Sequence, residues 1–241
     1  ADSAAAAAAS AAAALQEAGR KEDAMKNLVN RFLTEDERAR ITDAVKKAEK
    51  STSGEIVPMV VSSSDRYPLS GVIGALGLSI PFALPGAYLL GPLVGMGRHD
   101  MWVFLGVETA LFLFALFLVD MIPWLRRLFI SGQEMQDEVR TAALASFYEN
   151  GLHRTRDETG VLIYISIFEK MVWVMGDRGI HGKVGDDAWK EIVSMITEGI
   201  KNGKQADAIC RAVERAGEIL KTHFPIKAGD RDELPNLIEG K

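Results

Sequence analysis

The sequence contains a single cysteine, Cys210, so no disulfide bond can form within the chain. Its Lys and Arg residues are scattered and its net charge is −5, so it lacks the basic stretch that marks a nucleic-acid-binding protein. It also lacks a complete catalytic motif. Residues 199–204 do not have the spacing of a phosphate-binding loop, and His153 and His181 have no partner at metal-ligand spacing. These absences exclude nucleic acid as the expected partner and favour a protein without catalytic activity.

Charge is missing from one long stretch of the chain. Residues 67–97 contain no charged side chain, and residues 101–125 contain only Glu108 and Asp120. A bilayer core roughly 30 Å thick needs about 20 apolar residues per helix, so membrane spans are predicted within residues 70–94 and 101–125. The short connection at residues 97–100 makes them a hairpin, with both flanking parts on the same side. Pro81 and Pro85 predict a kink or a break in the first span.

Basic residues near the spans predict the orientation of the hairpin. Arg98 alone marks its tip, whereas its base is flanked by Lys50, Arg66, Arg126, Arg127 and Arg140. Because Lys and Arg near membrane spans favour the cytoplasmic side, the N- and C-terminal parts are predicted to lie in the cytoplasm, anchored in the inner (cytoplasmic) membrane. The Ala-rich stretch at residues 4–14 lacks the features of a secretory signal peptide.

The rest of the chain has the pattern of a small α/β domain. A capping box at residues 34–37 begins a helix, and residues 55–61 form a predicted strand in which Pro58 favours an edge position or a bulge. Residues 161–168 are typical of a central strand and turn at residues 169–170 into a second strand at residues 171–175. Two amphipathic helices follow, and the chain from residue 227 is predicted to be extended.

Three motifs in this order resemble the TPM domain family, which is named for phosphatase-like proteins of the thylakoid lumen and their bacterial relatives. They are SGEIV at residues 53–57, HRTRDETGVLI at residues 153–163 and GDRGI at residues 176–180. The similarity covers about residues 33–235 and is greatest to bacterial members with membrane spans inserted after the first strand. It implies a three-layer α/β domain with a small mixed sheet flanked by helices.

This resemblance and the inserted hairpin define the predicted domain organisation. An Ala-rich segment occupies residues 1–32, and a discontinuous TPM-like domain occupies residues 33–66 and 128–235. The transmembrane hairpin lies at residues 67–127, and a tail is predicted at residues 236–241.

Family members have been described as acid phosphatases, as calcium-binding modules and as factors that assist photosynthetic membrane complexes, so the resemblance alone implies no single activity. Oxygen ligands suit Ca²⁺ or Mg²⁺, and the candidate ligands are Asp157, Glu158, Asp177, Asp186 and Asp187. Asp157, Asp177 and Asp187 are also the candidate catalytic groups. The alternative is structural: Asp186 or Asp187 would be a helix N-cap, and Asp157 would pair with Arg154 and Arg156. The sequence HRTR at residues 153–156 replaces part of the acidic and amide pattern of calcium-binding relatives.

Three residues of the hairpin are predicted to contact a partner membrane protein. Glu108 lies roughly 9–10 Å from one end of the second span, where a carboxylate is costly unless it has a partner. Gly74 and Gly77 belong to a glycine-rich face suited to close helix approach. The alternatives are that Glu108 reaches toward the tip of the hairpin and that the glycines pack within the hairpin itself.

The sequence therefore leaves three functional hypotheses. The first is a membrane-anchored accessory or scaffold protein, with the hairpin in the lipid bilayer and in contact with an integral membrane protein complex. The second is a metal-dependent enzyme resembling acid phosphatases. The third is a calcium-binding regulatory module.

Overall fold

The structure is a computed structural model that describes residues 28–65, 67–95, 101–226 and 233–240. It divides into two compact units, one formed by Ala1–Ser64 together with Glu138–Lys241 and the other by Asp65–Asp137. We call the first the α/β unit and the second the hairpin unit. The Ala-rich stretch at residues 4–14, Arg66 and the predicted hairpin tip at residues 97–100 lie outside the described residues.

The described residues include eight α-helices, two short 3-10 helices and four strands, of which the α-helices and strands are numbered in chain order. The α-helices and strands are α1 (Glu35–Glu49), β1 (Glu55–Val61), α2 (Pro68–Leu90), α3 (Met101–Met121), α4 (Pro123–Arg127), α5 (Gly132–Glu149), β2 (Gly160–Ser166), β3 (Met171–Gly176), α6 (Arg178–His181), α7 (Asp186–Lys201), α8 (Gln205–His223) and β4 (Ile238–Gly240). Short 3-10 helices occupy Gly91–Val94 and Leu152–Arg154. The capping box predicted for α1 is present: the Thr34 hydroxyl accepts a hydrogen bond from the Glu37 backbone N–H, and the Thr34 N–H donates to the Glu37 carboxylate.

The four strands form one mixed sheet in the order β3-β2-β1-β4. β1 pairs in parallel with β2 and β4, whereas β2 and β3 form the expected antiparallel hairpin. β1 is an inner strand in this order, because β4 covers part of its outer side, whereas the edge position expected at Pro58 itself agrees with the pairing. β4 pairs only with Met59, Val60 and Val61, so in the described chain no strand lies beside Pro58 on that side. The predicted tail needs correction, since its residues 238–240 form β4.

Helices pack on both faces of the sheet. Ile56 and Val60 of β1 face the core formed with α1, α7 and α8, whereas Val57 and Met59 face the core formed with α5. Every residue of β1 and β2 is buried, as expected for strands covered on both faces. The α/β fold class predicted from the sequence is therefore confirmed.

The hairpin unit contains two helices that are long and apolar enough to cross a membrane, at Pro68–Leu93 and Met101–Met121. The 23 residues of α2 and the 21 residues of α3 correspond to about 35 and 32 Å of helix. α2 continues through Pro81 and Pro85, so the predicted break is absent. The second helix ends earlier than predicted, because Ile122 adopts an extended conformation before Pro123, as residues preceding proline tend to do.

Candidate functional site

A cavity of about 370 Å³ opens on the α/β unit. Its wall is formed by α5, the 3-10 helix after it, the loop before β2 and the turn from β3 into α6. The lining residues are Leu144, Phe147, Tyr148, His153, Glu158, Met175, Gly176, Asp177, Arg178 and His181. The wall thus combines apolar and aromatic side chains with five groups that carry or can carry charge.

Backbone contacts hold the loop before β2 against the turn after β3. The Gly179 N–H donates to the Glu158 carbonyl oxygen at 3.1 Å, and the Asp177 N–H donates to the Gly160 carbonyl oxygen at 2.9 Å. A Cβ at residue 179 would lie 2.6 Å from that Glu158 oxygen, so only glycine permits this close approach. The GDRGI motif therefore brings Asp177 and Glu158 to the same cavity.

Asp177 is the buried carboxylate of the cavity, with 8% of its surface exposed. Its Oδ1 accepts a hydrogen bond from the Arg178 backbone N–H at 2.7 Å and so caps α6. Its Oδ2 is buried and has no hydrogen-bond partner among the residues that the structure describes. Leaving a buried acceptor unsatisfied costs about 1–3 kcal/mol, so this oxygen marks a position for a donor from water or from a ligand.

His153 presents a second buried polar atom at this cavity. Its Nδ1 also lacks a hydrogen-bond partner within the described part of the chain, and its ring centroid lies 4.9 Å from that of Tyr148. Because His153 and His181 have no partner at metal-ligand spacing in the sequence, neither is among the predicted site residues. The available signal is the HRTR stretch at residues 153–156, which is part of the motif that resembles the TPM family.

The predicted acidic ligands are only partly brought together. Glu158 and Asp177 line the cavity, whereas Asp157 lies half-buried in the adjoining loop and does not line it. In the described ranges, no group of three or more His, Cys, Asp or Glu side chains is placed to hold a metal ion. Binding of Ca²⁺ or Mg²⁺ and the catalytic roles of Asp157, Asp177 and Asp187 therefore stay predictions.

Asp186 and Asp187 lie in the first turn of α7, exposed to solvent, and neither lines the cavity. The prediction that one of them caps this helix is wrong. The N-cap is Gly185, which makes no side-chain capping bond, and the two aspartates follow it. Asp187 instead accepts a hydrogen bond from Lys190 Nζ at 2.9 Å. That bond, together with the positive charge of Lys190, holds the pKa of Asp187 below its ordinary value.

In the hairpin unit, the predicted partner-contact residues have neighbours within the unit. Glu108 Oε1 accepts a hydrogen bond from Ser79 Oγ at 2.7 Å, which joins α3 to α2. A Cβ at Gly74 would lie 2.7 Å from the Phe129 ring, and one at Gly77 would lie 3.5 Å from it. Packing inside the unit therefore accounts for Gly74, whereas a side chain at the exposed Gly77 would make only an ordinary contact. Contact of either glycine with a partner protein stays a prediction.

Arg126 closes the base of the hairpin unit. Its Nε donates to Ser70 Oγ at 3.1 Å, and its Nη2 donates to the Tyr67 carbonyl oxygen at 3.0 Å. These bonds connect α4 to the first turn of α2. They place a guanidinium at the end of the unit where the chain enters and leaves it.

Comparison with known proteins agrees with the motifs. Residues 125–219 match the model of the TPM domain, a range that includes every residue lining the cavity. The NMR structure of the BA42 protein from the psychrophilic bacterium Bizionia argentinensis is similar, with 25% sequence identity and a TM-score of 0.53. The similarity covers 87% of this chain and 96% of that protein. No curated protein matches the chain. Residues 125–219 therefore carry the TPM domain to which the motifs point.

Proposed function

We propose that this protein is a membrane-anchored accessory protein. In this proposal the hairpin unit spans the bilayer and keeps the TPM domain at the membrane surface, beside the membrane protein complex that the domain serves. The observation that carries the proposal is the distribution of small and large side chains over the two long apolar helices.

The buried face of α2 consists of small residues, including Gly74, Ala75, Ser79 and Ala83. Large apolar side chains point away from the unit, and the exposed ones include Leu69, Phe82, Leu84, Leu89, Leu93, Trp102, Leu113, Phe114, Phe117 and Met121. Within the apolar stretch of each helix, only 28% is buried in the first helix and 11% in the second. A soluble protein rarely exposes so large an apolar surface to water, so lipid or a partner membrane protein is expected to cover it.

We further propose that both parts of the TPM domain lie in the cytoplasm. The basis is the excess of Lys and Arg at the base of the hairpin over the single Arg98 at its tip. Cysteine labelling tests this orientation, because Cys210 is the only native thiol. In a Cys210→Ser background, a membrane-impermeant maleimide added to intact cells should label Met101→Cys near the tip and spare Lys221→Cys on α8. The reverse pattern would contradict the orientation.

The accessory role is tested by purifying the intact protein from its native membrane in mild detergent and identifying every co-migrating protein by mass spectrometry. A companion in fixed stoichiometry is expected. A protein that migrates alone, even after cross-linking in the membrane, would refute the accessory role and leave the hairpin as a simple anchor.

Paired substitutions then locate the interface. Phe114→Ala combined with Phe117→Ala removes outward side chains of α3, and Phe82→Ala combined with Leu84→Ala removes a similar amount of surface from α2. We expect the α3 pair to release the companion, because α3 is the less buried of the two helices. The TPM domain should unfold as in the unmodified protein in both variants, since neither pair lies in the α/β unit.

The metal-dependent phosphatase and the calcium module both require carboxylates that converge on one ion. Among the carboxylates of the described residues, only those of Glu158 and Asp177 line the cavity. The geometry therefore favours neither over the accessory role.

A further inference from the structure

We propose that the cavity of the TPM domain binds a small zwitterionic molecule, one that carries a primary ammonium and an anionic group on a short aliphatic chain. The proposal goes beyond the accessory role and does not depend on it. It rests on a buried carboxylate and on positively charged and hydrogen-bonding side chains that line the same cavity of about 370 Å³.

The buried end of the cavity requires hydrogen-bond donors. Asp177 Oδ2 is buried without a partner in the described structure, and the Glu158 carboxylate lines the same cavity. A primary ammonium provides three N–H donors and the matching charge. The aromatic rings of Phe147 and Tyr148 add faces that attract a cation.

The exposed part of the cavity lining also includes side chains that attract an anion. Arg178 and His181 are exposed and line the cavity next to Asp177. A guanidinium donates charge-assisted hydrogen bonds to carboxylate or phosphate oxygens, and the His181 ring provides a further N–H donor. The anionic group of the ligand therefore belongs beside Arg178, and the apolar wall of Leu144 and Met175 suits the carbon chain between the two charges.

Simpler ligands fit this cavity less well. An anion without an ammonium would meet the carboxylates of Asp177 and Glu158 and be repelled by them. A cation without an anionic group would leave Arg178 and His181 unpaired. An apolar ligand would leave Asp177 Oδ2 and His153 Nδ1 buried without partners, which is unfavourable, and a metal ion would lack a third ligand among the residues that the structure covers.

The test uses the full-length protein in detergent, with O-phosphoethanolamine as the probe and calorimetry as the measurement. Ethyl phosphate lacks the ammonium and ethanolamine lacks the phosphate, so each should bind at least about tenfold more weakly, as expected when one charged hydrogen-bonding group is lost. The absence of measurable O-phosphoethanolamine binding at millimolar concentration would overturn the proposal. Equal binding of either truncated probe would do the same.

Variants show whether binding occurs in this cavity. Asp177→Asn and Arg178→Gln should each weaken O-phosphoethanolamine binding about tenfold or more. Asp187→Asn makes the same charge change outside the cavity and should leave affinity unchanged. Asp177 also caps α6, so its substitution could act through the fold. Glu158→Gln changes an exposed residue of the cavity and leaves that cap intact, and this variant should also weaken O-phosphoethanolamine binding. Equal losses in Asp187→Asn and Asp177→Asn would contradict the assignment.

Reconstitution distinguishes a soluble ligand from a lipid headgroup with the same chemistry. The full-length protein is placed in phosphatidylglycerol vesicles with and without phosphatidylethanolamine, and O-phosphoethanolamine is titrated. Weaker apparent binding in the presence of phosphatidylethanolamine identifies the headgroup as a ligand of the cavity. Unchanged affinity identifies a soluble zwitterion.

Discussion

Replacement of Glu169 by Gln tests how the α/β unit is held together next to the end of β1. Glu169 lies in the loop between β2 and β3, and its side chain is fully buried. Its carboxylate accepts hydrogen bonds from Ser64 N–H at 2.9 Å, from Ser63 Oγ at 3.2 Å and from Ser166 Oγ. One carboxylate therefore joins the β2–β3 loop to the segment that follows β1.

The expected magnitude follows from the hydrogen bonds that change. Gln keeps the size of Glu and one acceptor for the Ser64 N–H, and the serine hydroxyls can rotate to accept from the new amide. What is lost is the charge assistance, because hydrogen bonds to charged groups contribute about 1.5–3 kcal/mol and neutral ones about 1 kcal/mol. We expect Glu169→Gln to lower the free energy of unfolding by about 2 kcal/mol, and Glu169→Ala by about 3–5 kcal/mol.

The assay is urea unfolding in detergent followed by tryptophan fluorescence. Trp102 and Trp124 belong to the hairpin unit, so replacing both with Phe leaves Trp173 and Trp189 as reporters of the α/β unit. Glu191→Gln is the matched control. Its partner Arg215 lies 3.1 Å away at the surface, and such pairs contribute less than about 1 kcal/mol. If Glu169→Gln unfolds at the same urea concentration as this control, the carboxylate does not stabilise the contact between the β2–β3 loop and the segment after β1.

Three further predictions concern packing, capping and pH. Gly199→Ala would place a Cβ 2.1 Å from the Ala208 Cβ and should lower the free energy of unfolding by about 1–3 kcal/mol, whereas Gly182→Ala, which meets nothing within 4 Å, should change it little in the same urea assay. Thr34→Ala removes the capping hydrogen bond of α1 and should cost about 1 kcal/mol, and Thr34→Ser should restore most of that loss when the two variants are melted side by side. Burial raises the pKa of the Tyr164 hydroxyl, while its hydrogen bond with Ser64 opposes the rise. The unfolded chain therefore loses this proton first, and the free energy of unfolding should fall as pH rises above the ordinary tyrosine pKa of about 10; urea titrations that give Tyr164→Phe the same alkaline slope would contradict this assignment.

Local signals were sufficient for the regular elements of the chain. The capping box at residues 34–37 and the turn that joins β2 to β3 depend on neighbours a few positions apart. The two long apolar helices were readable from length and composition alone. Local signals did not show where a distant segment would pack. Pro58 indicated an edge, and the chain returns about 180 residues later to place β4 beside the end of β1, so the predicted tail is in part a strand.

The cavity illustrates what required the folded chain. Glu158 and Asp177 were identified as candidates, but so were Asp186 and Asp187, which belong to the exposed first turn of α7. Sequence spacing did not distinguish Glu158 and Asp177 from Asp186 and Asp187. Glu158 and Asp177 share a cavity because the Gly179 N–H bonds to the Glu158 carbonyl oxygen and so joins two turns that are separate in the sequence. His153 is not among the predicted site residues, since nothing near it in the sequence shows that its Nδ1 is buried.

The sequence by itself determined that this protein has two long apolar helices, an α/β domain and the motifs of the TPM family. Composition, periodicity and short-range capping specify such features, because each depends on residues within a few turns of one another. Only the tertiary structure decided that Glu55 of β1 pairs with Gly160 of β2 across the inserted hairpin, and that Asp177 shares a cavity with His153 and Glu158. These contacts join residues far apart in the chain, and their formation depends on burying both faces of one sheet, which is a property of the whole domain.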